Sequence, residues 1–402
     1  MNSITSSHNM QIKSERSRYS MKTIAMVANT SWSMIKFRSG IIKRLLHEGY
    51  RLYIIAPYDH LSDQLIDMGC IYIDVTMNNK GTNIFSDLRY MRQLYRLYKE
   101  IQPDLIFHYT IKPNIYGTLA AKKAKIKSVA VITGLGYTFI NDNITAKAAK
   151  FLYKISLKHA TQVWFINTED RNKFLLHQLV PKEKIEQLPS EGINTNHFRP
   201  IKIEKKNGDF HFILIARLLW DKGVGEYVKA AKELRKKYPH IICQLLGFVD
   251  AQNPQAISQE QIDFWEEKKY VKYLGTTEDV RPFIAQSDCV VLPSYREGMS
   301  MILLESASMA KPIIATNVPG CRDLVNHHIS GYLCNPRDYH DLMQKMEKMI
   351  LTTEEDREKM GMQGREIIIS EYNEQTVIEK YLRTIKSLVS TESHFRLKYH
   401  DD

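Results

Sequence analysis

From Lys22 onward, short β-branched runs alternate with segments whose apolar residues recur every three or four positions. KTIAMVAN precedes FRSGIIKRLLHEGY, RLYIIAPYD precedes LSDQLIDMG, and CIYIDVTM precedes a helix around LRYMRQLYRLYKEI. The cycle continues with DLIFHYT and IYGTLAAKKA, KSVAVITG and TAKAAKFLYKISLKHA, then QVWFIN and EDRNKFLLHQL. Strands separated by helices of this length return parallel, which predicts βαβ units in a doubly wound sheet. The pattern restarts at FHFILIAR and runs through VGEYVKAAKELRKKYP, IICQLLGF, a helix near Gln259–Lys268, VKYLGT, DVRPFIAQS and CVVLPS to PIIATNV. The expected fold is therefore α/β, two Rossmann-like doubly wound domains facing a cleft, with ligands at the carboxyl edges of the strands.

Composition places the boundaries. Residues 1–20 are polar and lack the apolar core of a signal peptide, so they read as a disordered lead, and Met21 is an alternative start to Met1. The first domain is expected over 21–198 and the second over 210–372, with a polar linker at 199–209 that carries Pro200 and Gly208. Residues 373–402 hold a helix from about Asn373 to Leu388 with no strand of its own, expected to pack back toward the N-terminal domain and to share hinge motion with the linker. No apolar run is long enough to span a bilayer, which predicts a cytoplasmic protein.

Five cysteines, Cys70, Cys243, Cys289, Cys321 and Cys334, stand far apart without a C-x-x-C pair, so buried thiols are expected rather than a zinc site or disulfides. His327 and His328 are adjacent, cannot converge on one ion, and read as surface residues. The net charge of +11 is concentrated. Between Leu105 and Thr168, Asp142 is the one acid against Lys112, Lys122, Lys123, Lys125, Lys127, Lys147, Lys150, Lys154 and Lys158. Such a concentration points to an anionic partner.

Neither G-x-G-x-x-G nor G-x-x-x-x-G-K-[ST] occurs, which removes the sequence support for a dinucleotide oxidoreductase or a P-loop ATPase. Two other strand–loop–helix passages carry chemistry. PSYREGMS leaves a strand for a helix, with Gly298 allowing close backbone approach and Ser300 at the N-cap, so free amides and the positive helix end can seat a phosphate. IARLLWDKGVGE puts Arg217 and Lys222 after the first strand of the second half, where they can reach the same phosphates. Glu297 and Glu305 bracket seven residues that enter an apolar helix. Taken singly, each glutamate would read as solvated. A carboxylate set among core residues must find donors, and a ribose diol or a sugar hydroxyl supplies them.

The passage PSYREGMSMILLESASMAKPIIATNVPGCRDLV resembles the donor-site signature of the retaining glycosyltransferases of family 4, and IARLLWDKGVGEYVKAAKEL resembles that family's phosphate-binding strand, loop and helix. HYTIKPNIYGTLAA and VITGLGYTFI resemble a bacterial subgroup that adds sugars, often N-acetylhexosamines, to surface-polysaccharide precursors. The resemblance extends from about Lys22 to Tyr381 and implies a GT-B architecture. It implies transfer of a hexose or N-acetylhexosamine from a nucleoside diphosphate sugar, with UDP expected, to a lipid-linked saccharide of an O-antigen, capsule or exopolysaccharide.

In that scheme Arg217 and Lys222 hold the diphosphate and Glu297 the donor hexose, as the catalytic set. Glu305 binds the ribose, and Gly298, Met299 and Ser300 give backbone amides. His108, Tyr109, Lys112 and Gly134 are candidate substrate contacts. Tyr109 stands where many members carry a histidine, SEG at Ser190–Gly192 replaces the usual Gly-Ser-Gly, and the loop NTSWSMIKF lacks a Gly-Gly pair. No D-x-D occurs, so neither a metal nor another cofactor is expected. Retention is expected by same-face attack, the departing phosphate oxygen taking the acceptor's proton.

Other classes compete. A sugar-nucleotide epimerase of similar architecture would also bind a nucleotide, with further acid and histidine groups around it. A nucleic-acid binder would use the lysines but not the glutamate pair, and Leu105–Thr168 contains no arginine, so no nucleic-acid partner is expected. In NITAKAAKFLYKISLKHA, Lys147, Lys150, Lys154 and Lys158 line one helical face and Ala148, Phe151, Leu152 and Ile155 an adjacent one. This predicts docking on an anionic membrane surface, peripheral at the inner face of the cytoplasmic membrane.

Overall fold

The computed structural model describes residues 21–78, 83–134, 144–203, 208–250 and 253–389. The chain forms two compact units. One takes the chain up to Phe165, then Asn172–Glu186, then the chain from Ile378; the other takes Ile166–Arg171 and Gln187–Val377.

The first sheet is built from β1 (Thr23–Val27), β2 (Arg51–Ala56), β3 (Ile71–Asp74), β4 (Leu105–Tyr109), β5 (Ser128–Ile132), β6 (Gln162–Phe165) and β7 (Ile185–Gln187). Its order is β3-β2-β1-β4-β5-β6-β7, and the pairs from β3 across to β6 are parallel. Central strands β4 and β5 are buried at every position, as expected for a parallel sheet covered on both faces. Right-handed crossovers send the helices Ile84–Ile101, Thr118–Ala124 and Ile144–Leu157 to the same face, where neighbours pack side by side. The Lys123 ammonium there lies 4.7 Å over the Tyr95 ring.

The second sheet comprises β8 (Phe210–Ile215), β9 (Ile241–Leu246), β10 (Lys272–Tyr273), β11 (Cys289–Leu292), β12 (Ile313–Thr316) and β13 (Gly331–Cys334). Its order is β10-β9-β8-β11-β12-β13, parallel throughout. In each sheet the winding reverses once, at β1/β4 and at β8/β11. Loops leaving the carboxyl ends there diverge and open a crevice.

The chain crosses between units earlier than its polar stretch suggests. Residues 187–198 belong to the second unit: Ile193 N–H donates to Tyr372 O at 2.9 Å, Glu374 N–H donates to Ile193 O at 3.0 Å, and Ser308 Oγ donates to Phe198 O at 2.7 Å. Those bonds hold the segment ahead of residue 199 against the second core, and residues 199–203, 208 and 209 lie in the same unit. Sequence periodicity also passed over β7, β13 and the helices Tyr339–Leu351 and Glu354–Glu371.

The last helix, Glu374–Val389, starts in the second unit and from Ile378 belongs to the first. Its Tyr381 is buried, with its ring 4.9 Å from Phe107 and 4.8 Å from Trp164, and its hydroxyl accepts from Tyr109 Oη at 3.0 Å. The tail therefore supplies an aromatic plug to the first core. Tyr381→Ala is expected to destabilise the first unit by about 3–5 kcal/mol, the range for emptying a buried aromatic site. Tyr381→Phe, which keeps the ring, is expected to cost only about 1 kcal/mol. Chemical denaturation of both variants checks the contrast.

Candidate functional site at the edge of the second sheet

Three loops converge where the second sheet reverses its winding. The loop after β8 carries Arg217 and a 3-10 turn, Trp220–Lys222. The loop after β11 carries Tyr295 to Ser300 and leads into the helix Met301–Ser308. The loop after β12 carries Pro319 and Gly320.

The first two loops are joined by backbone and by charge. Tyr295 N–H donates to Asp221 O at 2.9 Å, and Lys222 Nζ donates to Glu297 Oε1 at 2.6 Å. These two side chains are only 17% and 14% exposed, so the ion pair is short, charge-assisted and largely shielded from water. Gly223 has φ +72°, and a Cβ there would stand 2.1 Å from Pro293 O, so the helix Val224–Lys237 can begin at this point only with glycine. Tyr295 Oη donates to Glu226 Oε1 at 2.7 Å, and burial together with that carboxylate pushes the phenol pKa up.

The third loop sets the path of the second. Glu297 N–H donates to Pro319 O at 3.3 Å and Ser300 N–H to Gly320 O at 3.1 Å. A Cβ on Gly320 would lie 2.8 Å from the carbonyls of both Glu297 and Gly298, so the two loops touch through backbone.

Ser300 occupies the N-cap of Met301–Ser308, and its side chain makes no capping bond. The first amides of that helix thus receive no bond from the Ser300 side chain. Glu305 lies half-buried one turn in, between the buried Leu304 and Ser306, and Met299 packs on the apolar cluster beneath. Arg217 is half exposed, 3.7 Å from Asp250.

Sequence reasoning missed the brace on this loop. Asn167 Nδ2 donates to Gly298 O at 2.8 Å and to Asp170 Oδ2 at 3.0 Å, while Arg296 Nη2 donates to Asp170 Oδ1 at 2.6 Å. Arg322 adds a bond to Glu169 Oε2 at 2.9 Å. Asn167 and Asp170 are buried, so both carboxylate oxygens of Asp170 are used in positioning residues 296–298. The available signal was local: Asn167 Oδ1 accepts from Asp170 N–H at 2.7 Å, a helix-start pattern that hides the longer reach.

In the first unit the candidate contacts fall differently. His108 is fully buried, with Nε2 2.9 Å from Tyr98 Oη and Nδ1 3.4 Å from Thr118 Oγ1, and burial pushes its pKa down to about 3. Gly117 leaves it room, since a Cβ there would lie 2.5 Å from the ring. Tyr109 is fully buried on the other face, under the Arg38 guanidinium at 3.9 Å. Both side chains thus pack in the core of the first unit, away from solvent. Lys112 Nζ donates to the buried Asp87 at 2.6 Å, and Tyr116 Oη donates to the other oxygen of that carboxylate at 2.9 Å. Gly134, with φ +141°, follows β5 at the carboxyl edge.

Along Ile144–Leu157, Lys147 and Lys154 are exposed, as is Lys158 just past its end; Lys150 is half-buried, and Ala146, Ala149, Tyr153 and Ser156 face the core. Phe151, expected on an adjacent apolar face, is 64% exposed and falls in line with Lys147, Lys154 and Lys158. All five cysteines are buried and unpaired, and burial raises the Cys70, Cys243 and Cys334 pKa values to about 12. Among the described residues no three His, Cys, Asp or Glu side chains cluster to hold an ion, and no helix is long and apolar enough to cross a membrane.

Two reversing parallel sheets, the second with a cation and carboxylates at its carboxyl edge, define a protein of the doubly wound α/β class. Family models agree: residues 23–167 match "Glycosyl transferase 4-like" and 197–367 match "Glycosyl transferases group 1". The chain belongs to this glycosyltransferase family. It is 29% identical over 376 residues to the Campylobacter jejuni N,N'-diacetylbacillosaminyl-diphospho-undecaprenol alpha-1,3-N-acetylgalactosaminyltransferase, covering 90% of this chain and 97% of that one. It is 27% identical to the Escherichia coli UDP-Gal:alpha-D-GlcNAc-diphosphoundecaprenol alpha-1,3-galactosyltransferase over 64% of this chain and 69% of the other. A glycosyltransferase from Rickettsia africae shares the fold at TM-score 0.76 and 21% identity, covering 93% of this chain and all of that one. Anabaena HepE in complex with UDP does so at 0.74 and 18%, covering 91% of this chain and all of that one.

If Asp170 braces the loop, Asp170→Asn is expected to raise amide exchange at Glu297 and Ser300 about tenfold, the effect of losing a hydrogen bond to a charged group. Exchange in the strands of the second sheet should stay as it is, which hydrogen-exchange mass spectrometry resolves.

Proposed function

We propose that the second unit binds a UDP-sugar and that the enzyme transfers its hexose or N-acetylhexosamine, with retention, to a lipid-linked saccharide in surface-polysaccharide assembly. The observation that carries this reading is the shielded Lys222–Glu297 pair beside the uncapped start of Met301–Ser308, at the crevice of the second sheet. Diphosphate oxygens fit the Lys222 ammonium, the Arg217 guanidinium and the amides of Gly298 and Met299, whereas the Ser300 amide is already given to Gly320 O. Glu305 fits the ribose hydroxyls and Glu297 those of the donor sugar. The names of the Campylobacter and Escherichia relatives, both carrying diphospho-undecaprenol acceptors and one UDP-Gal, support the substrate classes.

As the glycosidic bond to phosphate breaks, negative charge grows on the leaving diphosphate. Lys222 and Arg217, already in position, stabilise that charge more than they stabilise bound substrate. The departing oxygen takes the proton of the acceptor hydroxyl attacking from the same face. Arginine, lysine and helix amides supply the positive charge, so turnover is expected to persist in EDTA. Lys147, Lys150, Lys154 and Lys158 would hold the first unit at an anionic leaflet, each contributing about 1 kcal/mol, which makes the enzyme peripheral at the inner face of the cytoplasmic membrane.

Glu305→Ala is expected to weaken UDP binding by about 1–3 kcal/mol in calorimetry; unchanged affinity with an intact fold would remove the ribose assignment. Lys222→Met should lower kcat more than it raises KM, since it acts on the leaving group. Product anomers read by NMR decide between retention and inversion. Exchanging the four lysines for glutamine should reduce binding to anionic vesicles most at low salt.

A further inference from the structure

The helix Ile84–Ile101 turns Tyr90, Leu94 and Tyr98 toward the core. On its outer side the first turn is apolar: Ile84 is 70% exposed, Phe85 84%, and Leu88 is exposed as well. Arg89, Arg92, Arg96 and Lys99 then continue the Phe85 line at steps of four, three, four and three, all exposed. Asn83 Oδ1 accepts from Phe85 N–H at 2.9 Å and from Ser86 N–H at 3.3 Å, so the apolar turn is capped and held in place.

We infer that this capped apolar tip inserts into an anionic lipid bilayer, with Arg89, Arg92 and Arg96 at the level of the lipid phosphates. Charge selects the occupant. Among the described residues no ion pair engages Arg89, Arg92 or Arg96. The helix carries two acids: Asp87, turned inward to Lys112 and Tyr116, and Glu100 at the far end. The neighbouring helices on this face, Thr118–Ala124 and Ile144–Leu157, contain no acid. A second copy docking on the same face would set arginine against arginine. A nucleic acid would leave Ile84 and Leu88 in water, whereas a bilayer satisfies both the apolar turn and the cations.

Position gives the contact a purpose, and here the inference rests on the lipid-linked acceptor proposed above. The helix starts after β3, so its tip lies at the carboxyl edge of the first sheet, the edge from which Lys112 and Gly134 emerge after β4 and β5. Insertion holds that edge against the surface where the diphosphate of a lipid-linked saccharide would stand. The lysine helix adds attraction that salt screens. The apolar tip adds binding that salt does not remove.

The test uses the full chain with vesicles of phosphatidylglycerol and phosphatidylcholine. Phe85→Trp should show a blue-shifted emission quenched by lipids brominated on the acyl chains. Parent protein should remain bound in about 0.5 M salt, where the Debye length is only a few ångströms. The triple change Ile84→Ser, Phe85→Ser, Leu88→Ser should lower that salt-resistant binding about tenfold or more while leaving Tm unchanged, because the side chains are exposed. Its transfer to a short-chain, water-soluble acceptor should equal the parent's. Absence of bromine quenching would overturn the inference, as would a triple variant that binds like the parent at every salt concentration. So would a parent that self-associates through this tip instead of binding vesicles. If vesicle insertion holds but no sugar is transferred, the proposed activity fails and the anchor stands.

Discussion

The hydrogen bond between Lys222 and Glu297 unites groups 75 residues apart in sequence, and it can form only because β8 and β11 are neighbours in the sheet. Neighbouring placement of these strands requires the winding to reverse, so the ion pair and the crevice have one cause. The pair in turn depends on close backbone approach on both sides, at Gly223 against Pro293 and at Gly320 against Glu297. A larger residue at either position would push a loop outward by more than a bond of 2.6 Å tolerates. The site is therefore built from backbone clearance first and side-chain chemistry second.

Much of this was legible because strands flanked by helices repeat with a regular period. The parallel sheets followed from that alternation, and Lys222, Glu297 and the helix start at Met301 followed from their place after strands. What escaped detection was short or mixed. β7 has three residues, two of them polar, and β13 is four residues following His327, His328, Ile329 and Ser330, so neither carries enough alternation to register. Pairing with a longer neighbour makes them strands, and that is tertiary information.

The candidate contacts of the first unit show the other limit. His108 and Tyr109 sit at the end of a strand, where a ligand contact is plausible from pattern alone. Both instead point into packed layers, because β4 is a central strand buried on both faces. Helical periodicity likewise placed Phe151 beside the lysines, but did not show which of the adjacent faces would be covered. The Asp170 brace was invisible for a different reason: its partner Arg296 is 126 residues away, and nothing local to either residue announces the other.

Tyr381 has a consequence for how the protein is made. The first unit is interrupted between Glu186 and Ile378, and the aromatic ring that closes its core beside Phe107 and Trp164 is delivered only after the second unit has been synthesised. At about 5–20 residues per second, the ribosome needs roughly 10–40 s to cover that gap. Until then the first sheet lacks the ring that packs on Phe107 and Trp164. The second unit, contiguous from Gln187 to Val377 apart from one short upstream segment, can mature first. Order of completion is thus the reverse of order of emergence, because the helix Glu374–Val389 completes the core of the first unit last.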